Sequence, residues 1–215
     1  MPDTRDRLLD VAEDVFYREG FHAVGLDRIL AEVGVTKTTF YNHFQSKEDL
    51  ILGVLRVRDQ WWRKIFAERL RERAGDDPAA QLRAIFDVLD EFIAADAFNG
   101  CIFVNVAVEF PPAHEPAHRA AAEHKELMGA LLRDLALRAG ATDPIGLAEE
   151  LALLMEGSYV TRQVTGNRAA AAIGRRAAAL LIERQLGPPR DGDGPEPSGP
   201  PPTSSPGRRR WPVRQ

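Results

Sequence analysis

Apolar residues recur three and four positions apart through most of the chain, and no run alternates β-branched and aromatic residues between turn signals. Such a period builds helix faces and leaves nothing to pair into a sheet, so the expected fold class is all-α. The clearest stretch carries Leu50, Ile51, Val54, Leu55, Trp61, Trp62, Ile65, Phe66 and Leu70 on one helical period. It predicts a single helix on the order of 40 Å long, ending near Arg73 at the sequence AGDDP. No repeat of 20 to 50 residues is visible, which favours a bundle over a solenoid.

The punctuation between apolar periods is regular. Gly20, Gly34, Gly140, Gly166 and Gly187 stand where helices should stop, and Asp143-Pro144 suits a cap and first position. Helices are expected over about 3–19, 26–33, 36–43, 47–73, 78–95, 101–110, 116–138, 144–165 and 168–186. Thr36 caps the third, and Ser46-Lys47-Glu48-Asp49 forms a capping box for the fourth. After Gly187 the sequence PPRDGDGPEPSGPPPTSSPGRRRWPVRQ lacks the apolar content to fold and reads as a disordered tail. The expected domains are therefore 1–46, 47–187 and the tail 188–215.

The bulk composition excludes several classes. With 44% hydrophobic and 28% charged residues in 215, the chain can bury a substantial core. No apolar run reaches the roughly 18 residues of a spanning helix, and MPDTRDRLL has acids where a signal peptide has a basic and then apolar stretch. A cytoplasmic protein with no membrane partner is expected. The lone Cys101 excludes an intrachain disulfide and a multi-cysteine zinc site. There is no Gly-rich loop of the P-loop form, and no cofactor is expected.

A formal net charge of −4 argues against indiscriminate coating of nucleic acid, but charge is distributed unevenly. Residues 35–47 hold Lys37, His43 and Lys47 with no acid. They fall on the second of two short helices joined by a Gly-containing turn, the pattern of a helix-turn-helix. In that arrangement the first helix holds the second at a steep angle, so that it enters a major groove about 12 Å wide. Val35, Phe40 and Phe44 should face inward, leaving Lys37, Thr38, Thr39, Tyr41, Asn42 and His43 accessible.

The stretch GFHAVGLDRILAEVGVTKTTFYNHFQSKEDL resembles the DNA-binding segment of the TetR family of bacterial transcriptional regulators, over roughly residues 4–53. The likeness rests on Gly20-Phe21, the Ile-Leu-Ala run from Ile29, Gly34-Val35, Phe40-Tyr41, His43-Phe44 and Ser46-Lys47-Glu48. It implies that Thr36 and Lys37 to Thr39 begin a recognition helix, with Tyr41, His43 and Lys47 on phosphates. Asn42 completes the accessible set. Threonine hydroxyls and methyls can meet base edges and the thymine methyl, whereas ammonium, phenol and imidazole suit phosphate oxygens, so direct reading falls to Thr38 and Thr39. The chain departs from the family in having Val24-Gly25 where a threonine and a second hydroxyl residue are usual, and Thr38 where glycine is common.

One such head is too small for tight recognition, so a homodimer on double-stranded operator DNA is expected, with half-sites about 34 to 36 Å apart. The resemblance places dimerisation in the last two helices. There Leu151, Met155 and Ser158 form one candidate stripe, and Ala172, Ile173, Arg176 and Leu180 the other. It also implies a small-molecule effector, apolar or aromatic, whose binding releases a repressor. Trp62, Phe66, Phe103 and Tyr159 are the aromatic candidates for its pocket. Asn105 and Glu109, four apart on an otherwise apolar helix in FNGCIFVNVAVEF, are the polar ones, although an interhelical hydrogen bond would explain them equally.

The competing reading is a zinc-dependent hydrolase. In HEPAHRAAAEH, residues His114, Glu115 and His118 match HExxH, and His124 has the spacing of a third ligand. Two features oppose it. Ala121 replaces the helix-breaking glycine of the longer motif, so His124 would lie about 120° around the helix from His118. Pro116 starts the helix after His114 and removes that ligand from the shared face. No enzymatic activity and no metal are expected.

Overall fold

The structure is a computed structural model that describes residues 3–187. The tail expected over 188–215 lies outside the described residues. Among those described there are nine helices and no strand: α1 (Thr4–Glu19), α2 (Leu26–Val33), α3 (Lys37–Tyr41), α4 (Lys47–Ala74), α5 (Pro78–Ile93), α6 (Ile102–Glu109), α7 (Pro116–Arg138), α8 (Pro144–Thr165) and α9 (Ala170–Leu186).

Most helix ends are set by the expected residues. Asp143 accepts from Gly146 ahead of α8, and Asp77, a cap not singled out from the sequence, does the same for α5 by accepting from the N–H groups of Ala79 and Ala80, with Pro78 at the first turn. Gly34 and Gly166 close α2 and α8 in the left-handed region, at φ 76° and 70°. Ser46 accepts from the Asp49 N–H at 3.1 Å, while the Asp49 carboxylate reaches back to the N–H of Gln45, one residue before the cap. Helix α3 is shorter than its period suggests. After Tyr41 the backbone tightens, with the N–H groups of His43 and Phe44 both donating to the Phe40 carbonyl. Helix α9 starts at Ala170 because Asn167 accepts from the Ala169 N–H in a local turn.

Packing divides the chain into two compact units, the first holding residues 3–61 and 101–124 and the second 62–100 and 125–187. This division differs from the 1–46 and 47–187 boundaries read from sequence, because α6 and the opening turns of α7 pack with the N-terminal helices. Ile102, Phe103, Val106, Ala117 and Ala121 are buried in the same apolar cluster as Leu8, Phe16, Phe21, Ile29, Phe40 and Leu55. Phe16 stacks on Phe21 and Phe40 on Phe44, with centroids 5.1 and 5.7 Å apart. At about 1.5 to 3 kcal/mol for each large apolar side chain removed from water, these rings and the aliphatic side chains buried with them are a major stabilisation of the unit. Arg7 fastens α1 to the end of α2 by donating to the Val33 carbonyl at 2.5 Å.

In the second unit α9 packs against α5 and α8. Gly174 lets it approach closely: a β-carbon there would stand 2.5 Å from the Phe86 ring and 2.8 Å from the Ser158 hydroxyl. The buried Arg162 guanidinium donates to the carbonyls of Ile93 and Ala95, where α5 has run out of its own donors.

Candidate nucleic-acid interface

The turn between α2 and α3 is built from three backbone choices. Gly34 takes the left-handed conformation, Val35 donates back to the Leu30 carbonyl, and Thr36 accepts from the Thr39 N–H at 3.2 Å. Phe40, fully buried, anchors the inner side of α3. The opposite side therefore presents Thr36, Lys37, Thr38, Tyr41 and Asn42 to solvent, while Thr39, His43 and Lys47 are half-buried at its margin. Thr36 and Thr39 share a hydroxyl contact of 3.0 Å, whereas the exposed Thr38 hydroxyl takes no part in it. Tyr41 packs edge-on to Phe40, and the Lys47 ammonium lies 5.9 Å from the Phe16 ring centre.

Electrostatics at this surface are less simple than a basic patch. The Lys37 ammonium sits 2.9 Å from the carboxylate of Asp27, the second residue of α2, and this contact raises its pKa above the ordinary lysine value. Arg28 is engaged by Glu32 at 2.7 Å and by Glu19 at 3.7 Å. At the start of α4 the Glu48 carboxyl is held below its ordinary value by its own backbone N–H and the Ser46 hydroxyl.

Behind this surface, the loop between α1 and α2 is fastened by a residue far away in sequence. Both Glu109 oxygens accept from backbone N–H groups, one from Phe21 at 2.9 Å and one from His22 at 2.7 Å. The His22 ring returns the contact by donating from Nε2 to the Glu109 carbonyl at 2.7 Å, and it rests on Phe110. Gly20, at φ 91°, makes room: a β-carbon there would stand 3.3 Å from the Glu109 carboxylate.

The segment over residues 8–54 matches the model for bacterial regulatory proteins of the tetR family, and residues 78–178 match a tetracyclin repressor-like C-terminal domain. A solved TetR-family transcriptional regulator from Streptomyces coelicolor is 30% identical, with 85% of this chain and 96% of that one covered and a TM-score of 0.79. The chain belongs to the TetR family. Among curated relatives, the transcriptional activator FasR of Mycolicibacterium smegmatis is 35% identical over 44% of this chain and 42% of its own. The transcriptional repressor NemR of Escherichia coli is 28% identical over 50% and 54%. The chain thus spans about half the length of the curated relatives it matches.

The remaining candidate residues fall as follows. Of the interface residues, Leu151, Met155 and Ser158 are buried within the chain, and Ser158 is fixed by donating to the Leu154 carbonyl. The large apolar residues that α8 exposes are Ile145, Leu153, Val160 and Val164. On α9, Ile173, Arg176 and Leu180 are exposed and Ala172 is half-buried. Of the pocket candidates, Trp62, Phe66 and Tyr159 are buried in the second unit, with Trp62 edge-on to Phe92 at 4.4 Å and Tyr159 stacked with Phe98. Phe103 and Asn105 lie in the first, Phe103 buried and Asn105 half-buried. Glu109, for which the sequence left a ligand contact and an interhelical hydrogen bond open, has its carboxylate on the backbone N–H groups of the loop before α2.

The zinc-hydrolase reading finds no support. His114 is exposed ahead of α7, His118 donates from Nδ1 to the Phe110 carbonyl, and His124 pairs with Asp59 at 2.8 Å beneath the Phe103 ring. Among the described residues no three His, Cys, Asp or Glu side chains converge on a metal position, and no helix is long and apolar enough to cross a membrane. Sequence reasoning missed Asp27 and His22. Neither has a spacing signal, since their partners lie 10 and 87 residues away.

Proposed function

We propose that this TetR-family regulator is a cytoplasmic repressor that binds a palindromic operator as a homodimer and releases it when a small apolar or aromatic effector binds. The observation that carries the reading is Glu109. The loop immediately before the DNA-reading pair hangs on a carboxylate from α6, which lies inside the span matched to the C-terminal family domain. An effector that shifts α6 pulls on that loop directly, which turns occupancy of the body into a change at the recognition helix. Phe103 and Asn105, on α6 itself, are the candidates for contact with such an effector.

The dimer reading is supported by the exposed apolar faces of α8 and α9. Leu153, Val160 and Val164 are 74%, 46% and 75% exposed, and Ile173 and Leu180 are 46% and 70% exposed. Each stripe has a small residue at its centre, Gly157 and Ala177, which would let two copies approach closely.

The test is selection of fragments from a random duplex library by the purified full chain, followed by a reporter assay with the recovered site. A two-fold symmetric site with half-sites about 34 to 36 Å apart, and lower reporter output when the regulator is present, are expected. Recovery of no site, or binding insensitive to salt, overturns operator recognition. A reporter that rises instead overturns repression.

A further inference from the structure

We propose that Asp27 and Lys37 act as one couple that reads a single G·C base pair in each operator half-site. The inference rests on the operator-binding reading above and deepens it by naming a base and a residue that carries a charge of the wrong sign for phosphate.

The couple joins the first turn of α2 to the first residue of α3. Both Asp27 oxygens face the ammonium, at 2.9 and 3.3 Å. The two side chains are 76% and 62% exposed, on the surface that also presents Thr36 and Thr38. A lysine there serving only as a phosphate contact would gain nothing from this neighbour, because a carboxylate repels the polyanion and competes for the same ammonium. The pairing makes sense for a base edge. In the major groove guanine shows two acceptors, N7 and O6, and the paired cytosine shows a donor, the N4 amino group. An ammonium has three donors, so with one given to Asp27 it keeps two for guanine N7 and O6. The carboxylate keeps lone pairs for cytosine N4.

The spacing fits as well. Guanine O6 and cytosine N4 are themselves joined by a hydrogen bond of about 2.9 Å, and the oxygen and nitrogen that would face them are 2.9 Å apart. Donor meets acceptor and acceptor meets donor at both positions. An A·T pair gives the couple one acceptor beside one donor, thymine O4 or adenine N7 next to adenine N6, and leaves the second ammonium donor without a base partner, so G·C is favoured by one charge-assisted hydrogen bond. Asp27 is thus a specificity-determining residue, acting on the base directly and by orienting Lys37.

Library selection with the full-length wild type, Asp27→Asn and Lys37→Met tests this. Both positions are exposed, and unchanged melting curves would establish that the variants fold. The wild type should recover a G·C pair at one fixed position per half-site, and changing it to A·T should weaken binding about 5- to 150-fold. Both variants should lose that preference while keeping the rest of the site. Asp27→Asn should also bind non-specific duplex more tightly, with a salt slope steeper by about one. If Asp27→Asn recovers the same base preferences as wild type, the proposal is overturned, whether or not its overall affinity rises. A wild type that selects no site would instead overturn the operator reading, and the couple's role with it.

Discussion

A carboxylate whose two oxygens both take backbone N–H groups is worth more than a surface ion pair, because neither donor has a backbone acceptor of its own. Glu109→Ala leaves the N–H groups of Phe21 and His22 without that partner. It should lower stability by about 1 to 3 kcal/mol in denaturant unfolding and reduce the change in operator affinity caused by effector. Wild-type effector response in this variant would remove Glu109 from the coupling. Asp90 shows the opposite case. Burial, then the neighbouring Asp87, raises its pKa above the ordinary 3.8. The folded state therefore holds the proton more tightly, and stability is lost as pH rises from the ordinary aspartate value through the raised one. Asp90→Asn should stabilise the protein at neutral pH by no more than about 0.5 kcal/mol, given its partial exposure, and the gain should vanish toward pH 4 in a melting series.

At the scale of elements, the helices were the most legible feature, because Gly34, Asp143-Pro144 and Gly166 each act within a few residues of where they stand. What the period could not resolve was which face of α8 points outward. Leu151, Leu153, Leu154 and Met155 are adjacent, so an apolar stripe can be drawn on more than one side, and only packing against α5 and α9 selects Leu151 and Met155 for the inside. The exposed stripe makes a direct prediction: Val164→Arg should convert a dimer to a monomer by light scattering while leaving the helical content unchanged. Gly174→Ala should destabilise by about 1 to 3 kcal/mol in unfolding experiments, since a β-carbon there collides with the buried Phe86 ring. Were the variant as stable as wild type, the close approach of α9 would not be a constraint.

For the whole molecule, the recognition head was readable from sequence because its caps, turn and buried aromatics all lie within some forty residues of one another. The connection to Glu109 was not, since 88 residues separate it from Phe21 and its sequence neighbours suggested an apolar helix with two stray polar groups. Linkage supplies the test at this scale. If effector weakens operator binding by some factor, the operator complex must bind effector more weakly by the same factor, and calorimetry on free and DNA-bound protein should return equal ratios. Effector that binds free and DNA-bound protein equally well would mean that the two sites are not coupled.

The seat of Glu109 also has a genetic consequence. Gly20 adopts φ 91° with the carboxylate against it, so any side chain there is strained and pushes the carboxylate away. A screen for mutants deaf to effector should therefore yield a cluster at Gly20, His22 and Glu109, written at separate places in the coding sequence. Such alleles should fall into one phenotypic class, and a second-site suppressor of one is expected at another.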